Sequence, residues 1–256
     1  NSDRGRFAQI PNGSTLTLGA GATLRNFRCA YHGGGIEVSA GASFDMEDGS
    51  CISGFTSENN GVAVCVNGGT FDMTGGIIRD CGFVATSGNR ESGGAVYLLS
   101  TGSVFNFSGG LITGNTADFG SSGLIVKYGT VNLSGTATVT NNVGAIGNDI
   151  VIWKDQNDKD VGQIIVSPDW KGWATFYSSY TPALSGNWYW PRGFYLPEKG
   201  DFAGALQAAA TMFMEAHLDA DAEKVLNRYL QANPQGDANA WADLAKLQHR
   251  TGRKQA

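Results

Sequence analysis

Basic runs, helix-length apolar stretches and clustered histidines are all missing from this chain, and each absence removes a class of function. The 18 Lys and Arg stand against 23 Asp and Glu, for a net charge of −5. No basic run tracks a phosphate backbone, so nucleic acid is not an expected partner. No apolar stretch approaches the roughly 20 residues that a membrane helix needs. The three histidines, His32, His217 and His249, are scattered, and none has an evident carboxylate partner for general-base work. Four cysteines, Cys29, Cys51, Cys65 and Cys81, fall in the first third without a CxxC pair or a neighbouring His. No metal and no cofactor is therefore expected. The cysteines read as small buried hydrophobes, with a disulfide as the alternative in an exported protein.

Proline is also sparse, at 6 residues, whereas glycine reaches 37 of 256. The length accommodates one large or two small domains. The glycines are periodic and flank short alternating apolar runs, which separates them from low-complexity sequence. Leu16-Thr17-Leu18, Phe44-Asp45-Met46, Phe71-Asp72-Met73, Phe105-Asn106-Phe107 and Val131-Asn132-Leu133 align, with starts advancing by 28, 27, 34 and 26 residues. A second series follows at Leu24-Arg25, Ile52-Ser53, Ile78-Arg79, Ile112-Thr113 and Val139-Thr140. A third series precedes each next copy: "GGGIEV", "NGVAVCV", "GGAVYLL", "SSGLIVK" and "GNDIVIW". Three short strands per unit, joined by turns too short for crossover helices, predict a mainly β protein: a parallel β-helix of about five to six coils. The unit is longer than the coils built from hexapeptides, which points to a right-handed coil. The insert "CGFVATSGNRESG" (81–93) is expected to bulge outward.

The pattern G-[GST]-x-F-x-[MF]-[ST]-G-G-x-I, followed by Asn and G-G-[AI]-V, is carried by "GGTFDMTGGIIRDC", "SVFNFSGGLITGN", "GTVNLSGTATVTNN" and the pairs Gly34-Gly35 and Gly93-Gly94. Over about residues 12–152 it resembles the glycine-rich right-handed β-helix repeats of bacterial surface and secreted proteins, including adhesin-like proteins and chlamydial polymorphic membrane proteins. That resemblance implies an architecture and an exported location, at the cell surface or in the extracellular or periplasmic space. It implies no reaction. The chain starts at Asn1 rather than Met, and a signal peptide or upstream domain is expected to precede it.

The expected organisation is a β-helix over 1–165, an aromatic capping and connecting region over 166–200, and helices over 201–256. The middle region holds Trp170, Trp173, Trp188 and Trp190. These are read first as a cap on the open solenoid end, and second as a sugar-stacking platform. After Gly200 the composition turns to Ala, Leu, Glu, Gln and Lys at helical spacing. Leu206, Ala209, Ala210, Phe213, Ala222, Leu226, Tyr229 and Pro234 resemble a tetratricopeptide helix pair, and Trp241, Leu244, Ala245 and Gly252 restart it. That likeness implies a peptide or protein partner. His217 and Gln248 depart from the pattern.

Period-2 geometry puts Phe71 and Met73 on one face of their strand and Asp72 on the other. Thr17, Asp45, Asp72, Asn106 and Asn132 then form one outer ladder, with Asp45 and Asp72 about 4.8 Å apart across neighbouring strands. That separation is close to the roughly 5–5.5 Å between the carboxyls of a retaining glycosidase. Asp45 and Asp72 are thus the candidate catalytic pair, weighed against a plain solvated face. The sequence lacks G-H-G, a close D-D pair followed by R-I-K, and Arg-x-Pro-x-x-Arg, which weighs against a polysaccharide lyase or polygalacturonase. The acidic loop with Asp155, Asp158 and Asp160 lacks the ligand order of a calcium site. The expected function is a noncatalytic scaffold or adhesin meeting a glycan or a host surface protein. The alternative is a carbohydrate-binding or polysaccharide-degrading β-helix protein.

Overall fold

The computed structural model describes residues 5–29, 34–84, 93–118, 120–145, 149–152, 162–167, 169–174, 176–178, 194–195 and 238–250, with single helical positions between 214 and 230. The repeats wind into a right-handed parallel β-solenoid of about five coils. All three predicted series form sheets. Sheet A holds the third series (Ile36–Ser39, Val64–Asn67, Val96–Leu98, Leu124–Val126, Ile150–Ile152). Sheet B holds Thr15–Leu18, Ser43–Met46, Thr70–Met73, Val104–Phe107, Thr130–Leu133 and Gln163–Val166. Sheet C holds Thr23–Arg25, Cys51–Ser53, Ile77–Arg79, Leu111–Thr113 and Thr138–Thr140. A fourth sheet, D, was not foreseen; it stacks two-residue strands from Arg28–Cys29 to Val143–Gly144.

Register follows side-chain identity. Phe71 pairs with Phe44 and Phe105, and Met73 with Met46 and Phe107. The rings stack down the interior, Phe44 on Phe71 at 5.0 Å and Phe71 on Phe105 at 4.5 Å between centroids. All of these side chains have no exposed surface. A one-residue slip would turn the whole column to water, so burial holds the register at every coil. Between Phe71 and Phe105 the unit is longest. Ile78 still pairs with Ile112, and Gly82–Phe83 with Thr116–Ala117. The surplus length thus falls in sequence between Phe83 and the following sheet-A strand, and residues 85–92, on which the expected outward bulge falls, lie outside the described residues.

The corner between sheets C and D repeats one backbone device. Asn26, Gly54, Asp80, Gly114 and Asn141 occupy equivalent places, with φ of 57°, 64°, 55°, 64° and 57°. This left-handed conformation is one that Gly, Asn and Asp tolerate and β-branched residues do not. The residue after each corner points inward. That column begins with Phe27 and Phe55, whose rings are 5.7 Å apart, and passes through Cys81 to Asn115 and Asn142.

At the far end, Trp170 is 3 % exposed and its indole N–H donates to the Ala137 carbonyl at 2.8 Å. The Val139 amide donates to the Trp173 carbonyl at 2.7 Å, and Ala174 is buried. Residues 171–174 therefore lie against the last strand of sheet C without forming a further strand of it. In the tail, Ala238–Arg250 is helical and buries Ala240, Leu244 and Leu247, an i, i+4, i+7 face. Ala222, Leu226 and Leu230 are helical and buried at the same kind of spacing, and Arg250 pairs with Asp219. Trp241 and Ala245, which the repeat pattern would turn inward, are exposed. Leu206, Ala209, Ala210, Phe213, Tyr229, Pro234 and Gly252 lie outside the described residues. No described helix is long and apolar enough to cross a membrane.

Stability should depend on the ring column. Phe71→Ala is expected to lower the unfolding free energy by about 3–5 kcal/mol, because a stacked ring is removed from a close-packed interior. Thr70→Ala, one position away on the outer face, is expected to change it by less than about 0.5 kcal/mol. Urea unfolding followed by circular dichroism checks both values.

Candidate functional site

The outer face of sheet B carries the candidate pair. Thr17, Asp45, Asp72, Asn106 and Asn132 are successive register partners, followed by Ile165. Asp45 and Asp72 are thus direct neighbours across the ladder. Each carboxylate is also held from the side away from the other. The Thr17 hydroxyl donates to Asp45 Oδ2 at 3.3 Å, and the Asn106 amide donates to Asp72 Oδ1 at 2.7 Å. Asn132 in turn donates to Asn106 Oδ1 at 2.7 Å. The face is a polar ladder whose donors and acceptors are engaged with one another along the solenoid axis. Glycosidic cleavage by two carboxyls needs one protonated acid and one charged partner, set apart by unlike surroundings. Here both carboxyls stand half-buried on the same sheet and accept from neutral neighbours.

The aromatic candidates separate. The buried Trp170 offers a ligand no open ring face, whereas Trp173 is 51 % exposed. The Trp173 carbonyl accepts the Val139 amide of the last sheet-C strand, which places this exposed ring at the end of sheet C. Trp188 and Trp190 lie outside the described residues, as do His32, His217, Asp155, Asp158 and Asp160. His249 is exposed on the tail helix. No cluster of three His, Cys, Asp or Glu able to hold a metal occurs among the described residues.

Two features escaped the reading of the sequence. The first is a buried polar ladder at the C–D corner. Asn115 Nδ2 donates to Asn142 Oδ1 at 2.8 Å, and Asn142 Nδ2 donates to Asp149 Oδ1 at 3.0 Å. Asn115 Oδ1 also accepts the Cys81 amide at 3.0 Å. Its trace in the sequence is the recurring Asn of "TGN" and "TNN".

The second is that sheet A is covered on both sides. Its outward positions Glu37, Cys65, Tyr97, Ile125 and Val151 are register partners, and all are buried. Glu37 pairs with Arg6 at 2.7 Å and accepts from Asn67 at 3.2 Å. The near-continuous apolar runs "VAVCV" and "AVYLL" carry this signal, since a strand buried on both faces does not alternate.

The cysteines are free: Cys29, Cys65 and Cys81 are buried, and Cys51 is partly exposed. The disulfide alternative is thereby set aside. Burial pushes the Cys81 thiol up to about 12. Burial, reinforced by the Glu37 carboxylate, does the same to Cys65, also to about 12.

Comparison with family models, with curated proteins and with solved structures returns no match.

Two outcomes follow from this geometry. A thiol whose folded pKa lies above its unfolded value stabilises the fold in full below about pH 9, and that stability drains as the pH rises toward 12. Between pH 8 and pH 10 each of Cys65 and Cys81 is expected to withdraw about 1 kcal/mol. Denaturant melts at the two pH values measure the loss, and Cys81→Ala should remove about half of it. At the outer ladder, Asp72→Asn keeps an acceptor for Asn106 and should shift stability by less than about 0.5 kcal/mol, against about 1 kcal/mol for Asp72→Ala.

Proposed function

We propose that this chain is a noncatalytic display scaffold of adhesin-like type, exported to a bacterial surface or beyond it, whose sheet-B face meets a glycan or a host surface protein. The observation that carries this reading is the side-chain ladder Asp72–Asn106–Asn132, bonded at 2.7 Å at each step. Such a ladder fixes amide and carboxylate groups at a constant axial interval of about 4.8 Å. A preorganised row of this kind favours binding, because little side-chain freedom is lost when a partner lies along it.

The tail serves a second contact in this reading. Its described helical positions bury Ala222, Leu226 and Leu230 and, within Ala238–Arg250, Ala240, Leu244 and Leu247, and leave Trp241 47 % exposed. An exposed indole on a short helical unit suits a peptide or protein partner.

A carbohydrate-binding role for Trp173 is the second reading, favoured by its exposed ring beside sheet C. The two are separated by one set of measurements on a glycan array and a panel of host surface proteins. Asn106→Lys, which breaks the ladder and reverses its polarity, is expected to weaken binding at least tenfold, while Trp173→Ala leaves it within twofold. The opposite ranking would move the site to the aromatic end. Release of reducing ends from a polysaccharide panel, abolished by Asp45→Ala or Asp72→Ala, would replace display with catalysis.

A further inference from the structure

Among the described residues, sheets A and B continue past the last strands of sheets C and D. They finish at Phe176–Ser178 and Phe194–Tyr195, whereas sheets C and D finish at Thr138–Thr140 and Val143–Gly144. A stack that stops unevenly should leave part of its apolar interior wet. Here Ile164 and Val166 have no exposed surface, and Val139 and Ile152 are buried. Phe194–Tyr195 pairs with Ile164 and Ile165 and stops short of Val166. Burial of Val166 therefore needs cover from outside its own sheet.

The tail shows the converse need. Ala222, Leu226 and Leu230 fall at i, i+4 and i+8, Ala240, Leu244 and Leu247 at i, i+4 and i+7, and all six are buried. A helix as short as Ala238–Arg250 is marginal in water unless its apolar stripe is packed against something. Two stripes facing only each other would leave their flanks wet, yet Ala222 and Leu247 have no exposed surface. A third surface closes over them. These six residues form one contiguous apolar core with Ile164, Val166, Trp170 and Ala174, and Met214 packs against that core. An independent module has a core of its own, so one shared core marks one folding unit. The opposite side of Ala238–Arg250 is largely polar, with Asn239, Lys246, His249 and Arg250 exposed beside Trp241. That is the outer face required of a unit that ends a stack.

We propose that the helical tail is the plug of the solenoid's far end, sealing the interior of its last rungs and denying their strand edges to other chains. Unpaired edges are templates for association, and a stacked protein stays soluble only when a terminal unit stops the stacking. Leu244 and Leu247 make the seal on the inner side of the helix, and Trp241 remains outside it. What loosens the tail therefore uncovers the last rungs of sheets A and B.

Native-state hydrogen exchange on the full chain tests this coupling. Amides of Ala238–Arg250 and of Gln163–Val166 should open together, as one cooperative unit. Leu247→Asp, which puts a carboxylate into the shared core, should speed exchange in Gln163–Val166 and Ile150–Ile152 by about tenfold or more and leave Thr70–Met73 within about twofold. Light scattering should show the mass of this variant rising with concentration. Leu244→Ala, a smaller cut that keeps the helix, should move the same far strands in the same direction, which keeps the test decisive where Leu247→Asp unfolds the whole chain. Lys246→Ala, at an exposed position of the same helix, should move none of them. The proposal is overturned if either core variant frees the tail amides while Gln163–Val166 keeps its protection, if Thr70–Met73 loses protection as much as Gln163–Val166 does in Leu244→Ala, or if the protein with a loosened tail stays monomeric.

Discussion

The stacking of each coil on the one before is the constraint from which the rest of the molecule follows. Its strongest expression is the ring column Phe44–Phe71–Phe105, with near-parallel planes at 19° and 3°. Stacked rings of one size fix the distance between coils, the width of the interior and the direction of every neighbouring side chain. Once Phe71 is placed, Asp72 must face outward and Met73 inward, and the turn at Gly75-Gly76 must begin at once. Gly76 has φ of 81° and lies against Ser50 and the Glu47 carbonyl of the preceding coil, so a side chain there would push the coils apart.

Three walls of one repeating unit nevertheless meet three environments. Sheet B turns its outer residues to solvent and binds them to one another. Sheet A buries its outer residues, turning Cys65 into an inert thiol and enclosing Tyr97 and Ile125. Sheet C mixes Arg25 and Arg79 with Ile77, and Trp173 lies exposed beside its last strand. The backbone geometry of the three is alike, so these differences reside in the residues at the outward strand positions. A partner able to distinguish the walls would have to read those side chains, not the fold.

Much of this was legible before any coordinate. The Phe-x-Met spacing revealed sheet B because a half-buried strand has a period that a reader can count, and the outward placing of Asp72 followed directly. Sheet D left no such mark, because two residues are too few to show a period. The ladder Asn115–Asn142–Asp149 was missed for another reason: polar residues at turns are exposed by default, and only the left-handed corners at Gly114 and Asn141 turn Asn115 and Asn142 inward. Trp170 and Trp173 looked equivalent in sequence. Their fates diverge because the Trp170 indole turns in to donate to the Ala137 carbonyl, whereas Trp173 meets the last sheet-C strand through its backbone carbonyl and leaves its ring exposed.

The same regularity limits where chemistry could arise. A repeat with fixed axial steps offers like groups at like distances, and the Asp45–Asp72 neighbourhood is an instance: two carboxyls on one face with similar donors. Catalysis by a carboxyl pair requires unlike surroundings for the two members, so one retains its proton while the other does not. A solenoid acquires unlike surroundings where its repeat is interrupted. In this chain the interruptions are the insert after Phe83, the polar substitution of the interior column at Asn115, and the aromatic edge at Trp170–Ala174. The Asn115 column is sealed inside, and its amides and the Asp149 carboxylate are consumed by one another. Among the described residues, departures from the repeat are therefore the places where groups of unlike character come together.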